Sequence, residues 1–163
     1  MKQYTLISFV FLILAAGLNS CVKEKNFPVE PAIEFKNYVL YGHDSADCII
    51  KFKDGDGDIG VMDGDTVPDL RMKYFYFDTV SMAYQPYDQT VADTTFDTLI
   101  YTYLIPNITP DGQYKALDGE IKVKLRAAPI YGIGHQKVKF EINLTDRAGH
   151  MSNTVTTNEI IVP

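Results

Sequence analysis

Val138-Lys139-Phe140-Glu141-Ile142-Asn143-Leu144-Thr145 alternates apolar and polar residues without a break. A period of two is the signature of a β-strand with one face on a core and the other in water. Working outward, Ile121-Lys122-Val123-Lys124-Leu125-Arg126 repeats the pattern, and Cys48, Ile50 and Phe52 share one face of an earlier strand. Leu70, Met72, Tyr74 and Tyr76 alternate with Arg71, Lys73, Phe75 and Phe77, so that strand turns apolar on both faces, as a central strand or one under a covering loop does. Ile33 and Phe35 are followed by Tyr38 and Leu40, a change of parity that predicts a broken strand. Met82 to Tyr87 reads as a short edge strand ended by Pro86; Leu99, Tyr101 and Tyr103 form a strand stopped at Pro106; Ile160 and Val162 close the chain. Gln89 to Thr95 reads as loop, and Asn107 to Gly119 is turn-rich, with Thr109-Pro110-Asp111-Gly112 a tight turn. No segment holds an apolar stripe at helical spacing. Seven to eight strands of this kind predict an all-β protein, an antiparallel β-sandwich over residues 32–163.

The beginning of the chain reads as an address. Lys2 is followed by an apolar run from Leu6 to Leu18, too short for a comfortable membrane span, and then by Leu18-Asn19-Ser20-Cys21. This resembles a bacterial lipoprotein signal. The resemblance implies that residues 1–20 are removed and that Cys21 carries the lipid, with more than one acyl chain giving stable anchoring. Val22 stands where an Asp would imply retention at the inner membrane, so the expected location is the outer membrane. The mixed patch Lys23-Glu24-Lys25 leaves the periplasmic face and the cell surface both open. Residues 21–31, polar and with two prolines, form a tether.

Of 163 residues, removal of the first 20 leaves 143 and changes the formal charge from −6 to −7, because Lys2 is lost. That length suits a single domain with a real core. The acidic balance, with no basic stripe, argues against nucleic acid as a partner. With Cys21 taken by lipid, Cys48 has no partner for an intramolecular disulfide and reads as a small core residue.

Six acidic residues fall in the stretch from Asp54 to Asp69 inclusive. Asp54, Asp56 and Asp58 alternate with Gly55 and Gly57, and carboxylates so close repel one another unless water or a cation intervenes. Glycine lets the backbone curl and bring them to one point, and calcium seeks about six to eight oxygens. Asp63 and Asp65, separated by Gly64, are candidates to close the shell from the other side. The run is not an EF-hand: Ile59 occupies the position of the sharp-turn glycine, Asp65 that of the bidentate Glu, and the flanks are strands. The competing reading is a solvated acidic turn.

Thr145-Asp146-Arg147-Ala148-Gly149-His150-Met151-Ser152-Asn153 resembles the loop before the last strand of bacterial immunoglobulin-like domains, where the usual text is Asp-x-Ala-Gly-Asn-x-Ser; His150 replaces the Asn. Together with Phe52-Lys53-Asp54-Gly55-Asp56-Gly57-Asp58-Ile59-Gly60, it resembles a group of Bacteroidota-type lipoproteins, a likeness that brings no activity with it. It implies an immunoglobulin-like sandwich. In that order the loop after the second strand and the loop before the last emerge at one end, which would make Asp146 a further oxygen ligand.

Catalytic chemistry is not indicated. His43, His135 and His150 fall in separate loops, His43-Asp44-Ser45 are neighbours in sequence only, and Gly132-Ile133-Gly134 lacks a strand-to-helix context. The expectation is a non-enzymatic, lipid-anchored cell-envelope module for binding or structure, with a calcium-stabilised loop. One alternative is a carbohydrate-binding module using Tyr84, Tyr87, Tyr101, Tyr103, Tyr114 and Tyr131, which the absence of Trp weakens. Another is an accessory subunit of an outer-membrane complex, docking a protein through a sheet edge or through Phe75 and Phe77.

Overall fold

The computed structural model describes residues 26–90, 96–126 and 134–162. Cys21, the expected signal segment and the first part of the expected tether lie outside these residues, as do Tyr131, Gly132 and Ile133. The described chain has no helix and folds into two main antiparallel sheets and one hairpin.

The first sheet has the order β1 (Ala32–Tyr41), β2 (Ser45–Asp54), β8 (Leu117–Leu125). The expected break in the first strand is a bulge within one continuous strand. Phe35 pairs with Ile50 and Asn37 with Ile49, so Lys36 is the extra residue. One inserted residue reverses the parity. Ile33 and Phe35 before the bulge and Tyr38 and Leu40 after it therefore all pack on the core.

The second sheet is built on β3 (Leu70–Asp78) and β9 (Lys137–Leu144), paired along most of their length. Each has a divided neighbour on its outer side. β10 (Val155–Thr156) and β11 (Ile160–Ile161) follow one another along β9, while β7 (Ile100–Tyr103) and β4 (Ala83–Pro86) do so along β3. Between β4 and β7 the chain leaves the sheet as a hairpin of β5 (Asp88–Thr90) and β6 (Phe96–Thr98). Its base is fastened where Leu99 N donates to Tyr87 O (2.8 Å) and Tyr74 exchanges main-chain bonds with both residues.

Nine strands thus lie in the two main sheets and two in the hairpin, more than the seven to eight expected. Strands of two to four residues are too short to display a period, which is why Gln89 and Thr90 read as loop yet lie in β5. The long strands match their alternation, except that β8 begins at Leu117, within the stretch read as turn-rich up to Gly119. Val138, Phe140, Ile142 and Leu144 are fully buried, opposite Leu70, Met72 and Tyr74 of β3. Phe140 is the hub. Tyr38 of the facing sheet stacks on it at 5.9 Å, and Tyr74 and Tyr101 meet it edge-on at 5.6 and 5.8 Å. Each fully buried side chain of this size contributes about 1.5–3 kcal/mol. Cys48 is one of the core residues, and burial pushes its thiol up to about 12, which keeps it unreactive.

Candidate metal centre

Asp54 is the last residue of β2 and has the same parity as Cys48, Ile50 and Phe52. The period that sends those side chains inward sends its carboxylate inward too, and it is 0% exposed. Its Oδ2 accepts the amide hydrogens of Gly57 (2.8 Å) and Asp58 (3.1 Å), so the chain curls back over it at once. That curl requires glycine at 57: φ is +73°, and a Cβ there would overlap the Lys115 carbonyl oxygen.

The curl gathers Asp54, Asp56 and Asp58, each with a carboxylate oxygen within 4.8 Å of the others. Among the described residues no other group of three His, Cys, Asp or Glu side chains converges in this way. Asp54 Oδ1 and Asp58 Oδ1 are buried and have no hydrogen-bond partner among the described residues. Burial pushes the Asp54 carboxyl up to about 6; the Asp56 charge adds to this, and the two amide hydrogen bonds oppose it. Asp58 is raised as well, by burial first and then by the Asp146 and Asp56 charges. A buried carboxylate oxygen without a donor is costly. Two of them in one acidic group fit a hard, oxygen-seeking cation, and the cluster could hold a metal ion. Such an ion would offset the mutual repulsion of the charges and supply rigidity.

Asp63 and Asp65 are not drawn into the group. Both are exposed, and Asp65 closes a turn of its own by accepting the Met62 amide hydrogen at 2.9 Å. The loop carrying Asp146 does reach the acidic loop: Ala148 N donates to Asp58 Oδ2 (2.9 Å) and Arg147 N to Asp58 O (3.3 Å). Asp146 itself lies beside the cluster. Its two oxygens accept from His150, one from the main-chain N (2.8 Å) and one facing Nδ1 (2.9 Å), and this contact raises the His150 pKa.

Two residues escaped the sequence reading. Arg147 Nη1 donates to the carbonyls of Ile59 (3.3 Å) and Gly60 (2.7 Å) and to Asn107 Oδ1 (3.1 Å), while Nη2 donates to Thr109 Oγ1. It fastens three loops at one end of the molecule. A lone guanidinium in a loop expected to face an acidic one was the available signal. Asp69 is buried, its Oδ1 accepts from Ile105 N (2.8 Å), and burial raises its carboxyl. It lines an open hollow of about 430 Å³ beside the cluster, together with Val61, Pro68 and Asp146.

Among the described residues, the tyrosines named for the alternative of sugar binding mostly pack. Tyr87, Tyr101 and Tyr103 lie against the core. Tyr84 donates to Glu159 (2.6 Å) and meets Phe77 at 66°, which presents no flat platform. Tyr114 is exposed. His135 stacks on Tyr76 at 4.1 Å, with Nδ1 3.1 Å from Tyr74 Oη, a packing role.

No family model matches this chain, and neither a curated protein nor a solved structure matches it.

Proposed function

We propose that the chain is a non-enzymatic, lipid-anchored module of the cell envelope, of immunoglobulin-like build, whose acidic loop is held by calcium. The observation that carries the cation reading is the pair of buried, unpartnered oxygens on Asp54 and Asp58 within one three-carboxylate group. Calcium is favoured among hard cations because it accepts irregular oxygen sets of about six to eight ligands, whereas magnesium demands a near-ideal octahedron. The immunoglobulin-like reading is supported by strand order. The first, second and eighth strands form one sheet; in the other, β9 lies between β3 and the last strands. Anchoring rests on the likeness of Leu18-Asn19-Ser20-Cys21 to a lipoprotein signal.

The test is thermal unfolding in calcium and in chelator. A ligand of the native state at a hundred times its dissociation constant adds about 2.7 kcal/mol, so the midpoint rises with calcium. Asp56→Asn and Asp58→Asn flatten that response. Superimposable curves at millimolar calcium would return the loop to a solvated turn. Anchoring is tested separately: Cys21→Ser moves the protein from the membrane fraction to the soluble one.

Docking of a protein partner is a second reading, favoured by the outer side of the second sheet. Phe75, Phe77 and Tyr84 lie there with Lys73, Lys137 and Lys139 over their rings at 5.1, 5.6 and 4.4 Å. Such rings with cationic rims suit an acidic partner surface.

A further inference from the structure

Gly55 sits between two of the three clustered carboxylates, and the chain that leads into β1 crosses directly over it. The atoms that a Cβ on Gly55 would meet first are the carbonyl oxygens of Phe27 and Pro28, close enough to overlap. Only glycine admits main chain at this range. The crossing is held from the side as well, by Lys53 Nζ at 5.6 Å from the centre of the Phe27 ring. Glu30, further along the same segment, is near enough to act on His150 together with Asp56.

Carbonyl oxygens carry partial negative charge, and two of them lie over Gly55, the residue that separates Asp54 from Asp56 in the chain. A cation among these carboxylates would draw on such oxygens as well, because calcium takes main-chain carbonyls alongside carboxylates. The ligand count points the same way. Asp54 Oδ2 already accepts two amide hydrogens and Asp58 Oδ2 one. The remaining carboxylate oxygens of the cluster fall short of the roughly six to eight that calcium takes. Asp54, a member of the group, is fully buried, and its Oδ1 has no hydrogen-bond partner among the described residues.

We infer that the cation held by Asp54, Asp56 and Asp58 also takes main-chain carbonyl oxygen from Phe27–Pro28, so that the site is a cation-dependent clamp fixing the N-terminal tether to the end of the domain. This rests on the cation reading above and extends it. Occupancy would decide whether the domain stands at a set angle to whatever precedes residue 27 or swings on a loose linker.

The experiment is amide hydrogen exchange on the full chain in calcium and in chelator, read at Asn26, Phe27, Val29 and Glu30, beside the unfolding midpoint. The clamp requires exchange there to slow about tenfold or more in calcium. A raised midpoint with unchanged exchange at these amides overturns the clamp and leaves the cation reading standing. No change in either overturns both. Gly55→Ala separates the two further: calcium should still raise its midpoint while the protection of residues 26–30 disappears, and retained protection would count against the clamp. Terbium, bound in place of calcium, gives a direct ligand count, since its luminescence lifetimes in light and heavy water report the waters it carries. Gly55→Ala should add about one or two waters to the ion, and an unchanged number would overturn the proposal. If Gly55→Ala does not fold, the exchange comparison on the natural chain decides alone.

Discussion

At the scale of single residues, the unusual group is Asp54, a carboxylate in a position that the strand period reserves for an apolar side chain. Its pKa in the fold is about 6 against an ordinary 3.8. Below about pH 4 the carboxyl is protonated in both folded and unfolded chains and has no effect. Between about 4 and 6 the folded state keeps a proton that the unfolded state has lost, so stability falls as pH rises, by up to roughly 3 kcal/mol for Asp54. Asp58 and Asp69 are shifted in the same direction, by burial before all else. In chelator, therefore, the unfolding midpoint should drop as pH increases through this window. In calcium the drop should shrink, because the ion replaces the proton as counter-charge. Midpoints measured from pH 4 to 7 check this; a chelator midpoint that climbs across the range would contradict the burial of Asp54. The three aspartates were legible as a group from their spacing. That one of them points into the core follows from its parity with Phe52 once β2 is known to run as far as Asp54.

At the scale of elements, length decided what could be read. The eight- to ten-residue strands β2, β3, β8 and β9 each show enough alternation to fix both type and inward face. β10 and β11 are two residues each, and pairing with β9 alone makes them strands. The β5–β6 hairpin is the instructive case. It pairs with itself, and the edge of the sheet is already closed beneath it by the Leu99 to Tyr87 hydrogen bond. Replacing Asp88–Thr98 by a two-residue turn should therefore change the stability of the domain by no more than about 1 kcal/mol, since a shorter connection also lowers the closure cost. Urea unfolding of the shortened chain gives the answer, and a loss of several kcal/mol would mean that the hairpin supports the core.

At the scale of the whole molecule, the site is a product of topology. Residues 54–60, 105–109 and 145–151 are far apart in sequence and meet at one end, where Arg147 binds two carbonyls and two side-chain oxygens drawn from the other two segments. Lysine cannot reproduce a planar fork of donors. Arg147→Lys should cost about 1–3 kcal/mol in urea unfolding, and it should shift the calcium titration to higher concentration by loosening the loop that carries Asp58. Unchanged stability and an unchanged titration would show that the fork is dispensable. The amino-acid sequence by itself determined the all-β class, the faces of the long strands, the buried Cys48 and the clustering of Asp54, Asp56 and Asp58, because each follows from periods and spacings within a few residues. The tertiary structure alone decided the rest: that Asp63 and Asp65 keep to their own turn, that Asp146 turns to His150, that Arg147 joins three loops, and that Phe27 and Pro28 lie over Gly55. Those are contacts between segments separated by tens of residues. No local pattern encodes them; the pairing of strands and the packing of two sheets bring them about.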